Sequence, residues 1–170
     1  GYNAFFRNTV KMNRSLTWVF TFSVITLVLY LGSLLGFMLQ TVYAISVLGC
    51  LLSLYYLWAV WKKKYRFRRL DYIALGMMAY LLLFGITLWH SPLLHYDNFT
   101  HWATIVKFFH INNALPTQQD TIISYYTYPV GSSLFIYFFT TIVGFSEGSM
   151  LVGQFFLIAS SLYAMFAALR

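Results

Sequence analysis

An aspartate and a histidine four residues apart, Asp97 and His101, are the pair in this sequence best suited to acid–base chemistry. Residues at that spacing share one face of a helix, so the two side chains can touch. A carboxylate in this position can act as a general base towards a hydroxyl group, a role worth about 10²–10⁴-fold in rate. Asp97 can also cap a helix by accepting bonds from the free amides of its first turn, and the two roles are compatible.

Other polar and aromatic residues of the same stretch offer contacts to a substrate. Lys107 can neutralise a phosphate, or it can snorkel beside an apolar helix face. Asp120 can bind a substrate or a metal, although a solvated loop acid is the simpler interpretation. Trp102 and Tyr128 are further candidates for substrate binding, and tyrosines here also fit an interfacial aromatic belt.

The histidines raise the question of a metal site. They are His90, His95, His101 and His110. Their spacings match no compact ligand motif, and the single cysteine, Cys50, lies in an apolar run where it cannot complete one. We therefore interpret the histidines as interfacial side chains, and the metal ligands, if a metal binds, are not specified by the sequence.

Composition excludes a water-soluble protein. Hydrophobic residues make up 60% of the chain and charged residues 9%, against about 45–50% and about 25% in typical globular domains. So few charges could not cover a soluble surface, which argues against a cytosolic enzyme, a disordered chain and a nucleic-acid-binding module. The net charge of +7 is better explained by membrane topology.

Uncharged runs predict an all-α integral membrane protein with about five transmembrane helices. The run Ser15–Trp61 would form a helix of about 70 Å, more than twice the roughly 30 Å of a bilayer core, so it must hold two spans. The predicted spans are Leu16–Phe37, Thr41–Trp61, Tyr72–Leu94, Tyr128–Phe145 and Ser149–Leu169. Residues 1–70 then form a two-span hairpin, and residues 71–170 form a three-span segment carrying a loop at 91–128. Residues 128–145 either cross the membrane or re-enter it.

The distribution of basic residues predicts the orientation. Two clusters flank the first two spans, and they contain Arg7, Lys11, Arg14, Lys62, Lys63, Lys64, Arg66, Arg68 and Arg69. The positive-inside rule makes that side cytoplasmic. The N-terminus is therefore expected in the cytoplasm and the loop 91–128 outside, while Glu147 is expected in a turn on the cytoplasmic side.

The loop is predicted to contain one amphipathic helix of about 13 residues, which begins at Asp97 or Asn98. Its apolar face consists of Phe99, Trp102, Ile105, Val106 and Phe109, and its polar face of Asn98, His101 and Thr104. The helix is too short to span, so we expect it to lie in the interface with its aromatic side chains in the acyl boundary. Asn112, Asn113 and Pro116 end it.

The order of these features resembles the first outer loop of the glycosyltransferase C superfamily. An aspartate follows a span within Tyr-Asp-Asn-Phe-Thr-His-Trp (96–102), a helix with Lys107 comes next, then Asn-Ala-Leu-Pro (113–116), and Tyr-Pro-Val-Gly (128–131) opens the following span. Bacterial cell-envelope members often have Tyr-Pro-Pro-Gly there, and Val130 replaces the second proline. The resemblance covers about residues 71–145.

This resemblance implies a fragment of a polytopic enzyme, with the remainder beyond Arg170. Such an enzyme transfers a sugar from a polyprenyl-phosphate donor to a glycan or glycolipid acceptor on the outer face of a bacterial plasma membrane. In that family the loop aspartate is a base or substrate ligand, in some members with a divalent metal, and this role falls to Asp97. We expect His101 to orient Asp97 and Lys107 to offset charge on the departing phosphate.

Two other functions remain open. One is a segment of a transporter or lipid flippase, although ion coupling normally needs an ionisable residue in the middle of a span. The other is a non-catalytic membrane scaffold, which needs no convergence of the polar groups in the loop. Convergence of Asp97, His101 and Asp120 on one groove would favour the enzyme.

Overall fold

The computed structural model describes residues 1–62, 64, 72–123 and 126–166. These residues form seven α-helices and one π-helical turn, and no strand occurs among them. The helices are α1 (Tyr2–Thr9), α2 (Arg14–Leu34), α3 (Met38–Trp61), α4 (Tyr72–Trp89), α5 (Ala103–Asn112), α6 (Gly131–Val143) and α7 (Glu147–Met165). The π-helical turn, Asn98–Trp102, leads directly into α5. The predicted all-α class is confirmed.

Four helices are long and apolar enough to cross a membrane, namely α2, α3, α4 and α7. They correspond to four of the five predicted spans, with ends that differ by a few residues. Large apolar side chains are exposed along α3 and α4, as expected for helices that contact lipid. The chain is therefore an all-α membrane protein.

The four long helices alternate in direction. A tight turn joins α2 to α3, and Gly36 adopts a φ of 79° there, which glycine does without strain. The start of α7 lies at the end of α4, where Gly148 packs so closely on the Trp89 carbonyl that a Cβ would clash. Arg14 and Tyr163 line one cavity, which places the end of α7 beside the start of α2.

The bundle consequently has two chemically different ends. We call one end the basic end. Its cationic residues lie on α1, between α1 and α2, in the first turn of α2 or after α3, and they are Arg7, Lys11, Arg14, Lys62 and Lys64. We name the opposite end, where α4 finishes and α7 begins, the loop end.

Helix α6 begins within the bundle and finishes at the loop end. Gly131 faces Thr26, near the middle of α2, and residues 144–146 alone separate α6 from α7. A helix of 13 residues is about 20 Å long, too short for a hydrocarbon core of about 30 Å. Helix α6 therefore does not run from one end of the bundle to the other, as the re-entrant alternative for residues 128–145 expects.

The position predicted for Glu147 was wrong. Its carboxylate Oε2 accepts a hydrogen bond of 2.8 Å from the Leu93 amide, which directly follows α4. Glu147 therefore lies at the loop end and not with the basic clusters, because α6 does not carry the chain across. At this end Ser146 and Ser149 form a capping box that begins α7.

Three residues of the predicted apolar face, Ile105, Val106 and Phe109, pack on protein instead of lying among acyl chains, whereas Phe99 and Trp102 of that face are exposed. Ile105 and Phe109 are completely buried. They form one core cluster with Phe108, Ile123, Leu134 and Tyr137 and with Leu29, Met38 and Val42 of the α2–α3 hairpin. Burial of this face against three other helices fixes the loop segment on the bundle.

Candidate functional site

Asp97 presents an exposed carboxylate that the fold does not use as a helix cap. Its side chain is 59% exposed, and its Oδ2 lies 3.5 Å from Nδ1 of His95. The Asp97 amide donates to the same imidazole nitrogen at 3.3 Å. Asp97 occupies the cap position of the π-helical turn but makes no side-chain capping bond. The carboxylate is thus available for chemistry, and His95 is the imidazole beside it.

His101 is buried, whereas the helical pattern predicted it on a polar face. Only 4% of the residue is exposed, and its ring contacts Trp102 and Tyr128 at centroid distances of 4.6 and 4.9 Å. The reason is the π-helical turn, in which the Ala103 amide bonds to the Asn98 carbonyl five residues back. The extra residue per turn rotates the preceding side chains out of α-helical register.

Burial lowers the pKa of His101, and the negative charge of Asp97 opposes that effect. The imidazole is therefore neutral at pH 7.

Tyr128 lines a large groove on the helix bundle. The groove has a volume of about 1030 Å³ and lies between α2, the second half of α7 and residues 126–132. Its walls are mainly apolar, with a set of hydroxyl groups from Ser23, Thr26, Ser132, Ser160 and Ser161. Such a groove suits an elongated apolar molecule with few polar groups.

Trp102 lines a second, smaller cavity of about 100 Å³. The polar residues around it are Asn98, Ser132 and Gln154. Ser132 borders both spaces, so the start of α6 separates the groove from the cavity. Gln154 was not predicted from the sequence, because a lone glutamine in an apolar span has no distinctive spacing.

Lys107 and Asp120 do not line either space. Lys107 is exposed on α5. The Asp120 carboxylate accepts bonds of 2.6 and 2.8 Å from the amide and the hydroxyl of Thr117, so it stabilises a turn. Asp97, His101 and Asp120 therefore do not converge on one groove, and only Trp102 and Tyr128 of the six candidates line the described cavities.

Two hydrogen bonds that the sequence did not predict hold α5 to α6. The His110 ring nitrogen Nε2 lies 2.8 Å from the Thr140 hydroxyl. The Tyr137 hydroxyl donates to Oδ1 of Asn113 at 2.8 Å. Asn113 ends α5 in a left-handed conformation with a φ of 50°, which asparagine tolerates better than most residues. Only the role of Asn113 as a helix end was visible in the sequence.

In the described part of the chain, no three His, Cys, Asp or Glu side chains are grouped closely enough to hold a metal ion. Asp97 and His95 alone would supply two ligands, fewer than structural or catalytic sites use.

Acidification from pH 7.5 to pH 5 is expected to destabilise the packing of α5. Burial lowers the pKa of His101 and of His110, so the folded protein binds fewer protons than the unfolded chain. The free energy of unfolding is therefore highest above the pKa of an unfolded histidine, about 6.5, and it decreases as the pH falls below that value. The full decrease is about 1.4 kcal/mol for each unit by which folding lowers the pKa. Thermal unfolding in detergent at each pH measures this loss.

The matched comparison is the double variant His101→Phe, His110→Phe, which removes the buried and the half-buried imidazole but keeps the exposed His90 and His95. We expect its unfolding temperature to vary much less with pH. An unchanged pH dependence would assign the effect to other groups.

Comparisons of the chain with family models, with curated proteins and with solved structures find no match.

Proposed function

We propose that this membrane protein transfers a sugar from a lipid-phosphate donor to a cell-envelope acceptor, as part of a polytopic glycosyltransferase. The observation that carries the proposal is the exposed, uncapped carboxylate of Asp97. It lies in the segment whose His101 contacts Tyr128, and Tyr128 lines the large groove. The Asp97 carboxylate, which can act as a base, therefore lies in a segment that packs against the wall of a groove large enough for a lipid chain.

Asp97 would accept the proton of the acceptor hydroxyl, and the freed oxygen would attack the anomeric carbon of the donor sugar. The bond from that carbon to the phosphate oxygen breaks, and the lipid phosphate leaves with the electron pair. A single carboxylate base suits one displacement with inversion, by analogy with inverting glycosidases. His95, whose Nδ1 accepts a bond of 3.3 Å from the Asp97 amide, would hold the backbone of Asp97 in place.

The remaining candidates would position the donor. The apolar walls of the large groove suit a prenyl chain, and Tyr128 and Trp102 offer ring faces to the sugar. Lys107 is exposed on the same segment and would offset charge on the departing phosphate. His101 would act by packing on Tyr128 and so holding the segment of Asp97 against the groove wall.

The proposal places the basic end in the cytoplasm and the loop end outside a bacterial plasma membrane. We expect a cysteine at position 97 to react with an impermeant maleimide in intact cells, and a cysteine at position 11 to react only after permeabilisation. Both positions are exposed, and Cys50 is first replaced by Ala so that it cannot contribute. Labelling of position 97 from the cytoplasmic side alone would contradict the proposed orientation.

The direct test of activity uses the full-length protein in proteoliposomes with radiolabelled polyprenyl-phosphate sugars. We expect the label to leave the lipid fraction when a cell-envelope glycan is supplied. Retention of all label in the lipid fraction, with every common sugar tried, would contradict the proposal.

A lipid flippase is the second candidate, because α6 begins near the middle of α2. Re-entrant or discontinuous helices are typical of transporter binding sites. The same proteoliposomes distinguish the two functions, since a flippase moves a labelled lipid between leaflets without releasing its sugar.

A further inference from the structure

The small cavity beside Trp102 gathers polar groups from three separate segments of the chain. Its volume is about 100 Å³, and apolar side chains form most of its wall. The polar groups belong to Asn98 of the π-helical turn, Ser132 of α6 and Gln154 of α7. The fold thus brings two amides and one hydroxyl, distant in sequence, to one space.

Gln154 carries an exposed amide on a membrane-spanning helix. It lies about 10 Å along α7 from Glu147. Within the described part of the chain, no group hydrogen-bonds to the side chains of Asn98, Ser132 or Gln154. An amide without a partner costs free energy where water is scarce. A ligand in the cavity would supply the partners that packing does not.

The chemistry of the small cavity suits one neutral sugar ring. Amide and hydroxyl groups both donate and accept hydrogen bonds, as the neighbouring hydroxyls of a sugar do. The indole of Trp102 offers an apolar surface to the C–H groups of the ring. The described residues that line the cavity carry no charge, so a sugar with a carboxylate would lose water without gaining a counter-charge.

The cavity also has suitable neighbours for the sugar of a lipid donor. Asp97, the proposed base, directly precedes Asn98 in the cavity wall. Ser132 borders both the cavity and the large groove. A lipid whose chain lies in the groove can therefore place its sugar in the cavity, close to Asp97.

We propose that the small cavity binds the sugar of the lipid-phosphate donor and selects a neutral sugar, with Asn98 and Gln154 bonding to its hydroxyl groups. This inference rests on the proposed transferase function and names the part of the donor that the cavity recognises. The cavity is much smaller than the roughly 300–1,000 Å³ of pockets for drug-sized ligands, so it takes one ring. Gln154 binds the sugar and takes no part in proton transfer.

The test measures sugar binding separately from sugar transfer, by saturation-transfer NMR of the full-length protein in nanodiscs. The probes are the methyl glycosides of glucose, mannose, galactose, N-acetylglucosamine and glucuronic acid. We expect at least one of the four neutral glycosides to bind more tightly than the glucuronide. Gln154→Met should weaken that binding about 10-fold, the effect of one or two lost hydrogen bonds.

The matched control is Gln40→Met, which makes the same change at an exposed position near the start of α3. Gln40 lines neither the groove nor the small cavity, so this variant should bind the glycosides normally. Ala103→Leu fills the cavity without removing a polar group and should also weaken binding. Thermal unfolding should show no loss of stability in Gln154→Met, whereas a structural role of this amide would lower the unfolding temperature.

Three results would each overturn the proposal, even in a protein that transfers sugar. They are no binding of any neutral glycoside, equal or tighter binding of the glucuronide, and equal effects of Gln154→Met and Gln40→Met in folded protein. Failure of the transferase function gives a different result. Glycosides would then bind in a manner that depends on Gln154, while no label leaves the lipid donor.

Discussion

Replacement of Asp97 with Asn is expected to reduce sugar transfer by about 10²–10⁴-fold, the usual contribution of a general base. The amide has the same shape as the carboxylate but cannot accept the proton of the acceptor. Because the Asp97 side chain is exposed and caps no helix, its loss should leave the fold intact. Release of label from the lipid donor measures the rate, and thermal unfolding measures stability.

Glu147→Gln provides the matched control for this substitution. Its carboxylate accepts a bond from the Leu93 amide, and the glutamine oxygen can accept the same bond. We expect the control to transfer sugar at close to the rate of the unmodified protein. Activity of Asp97→Asn within a few-fold of that rate would remove Asp97 from the mechanism.

Replacement of Phe109 with Ala is expected to cost about 3–5 kcal/mol of stability, as for other large-to-small changes in a core. Phe109 is completely buried in the cluster that joins α5 to α2, α3 and α6, and its ring lies 5.8 Å from that of Tyr137. The cavity left behind should loosen α5 and the π-helical turn before it. Sugar transfer should therefore fall together with the unfolding temperature.

Phe99→Ala is the control for that loss, because it removes the same side chain from the same segment. Phe99 is 59% exposed, so its replacement should change stability by no more than about 0.5 kcal/mol. Equal costs at the two positions would show that the buried face of α5 does not support the fold. Unfolding in bicelles gives both values under one condition.

The segment formed by the π-helical turn and α5 shows how well residue spacing predicts a helix and the face on which each side chain lies. The apolar pattern correctly predicted a helix and its end at Asn112 and Asn113. The same pattern predicted His101 on the polar face, and this was wrong because the chain forms a π-helical turn at Asn98–Trp102. Spacing predicts a face only when the number of residues per turn is known, and here the π-helical turn changes it.

The candidate site was predicted in part. Asp97 was recognised from its residue type and its position after a span, and the structure leaves its carboxylate exposed. Its neighbour His95 was not singled out as a partner, since two residues apart is not a helical pairing distance. Tyr128 was chosen from a short motif, and its place in the groove wall depends on α2 and α7, which lie far away in sequence.

The sequence by itself determined the class of the protein and its long spans. A bilayer imposes one local requirement, about 20 consecutive apolar residues per helix, and α2, α3, α4 and α7 meet it within single uncharged runs. The tertiary structure decided the course of α6, the end of the bundle at which Glu147 lies and the burial of His101. Those features follow from which helices pack together, and packing between distant segments leaves no periodic signal in any one of them.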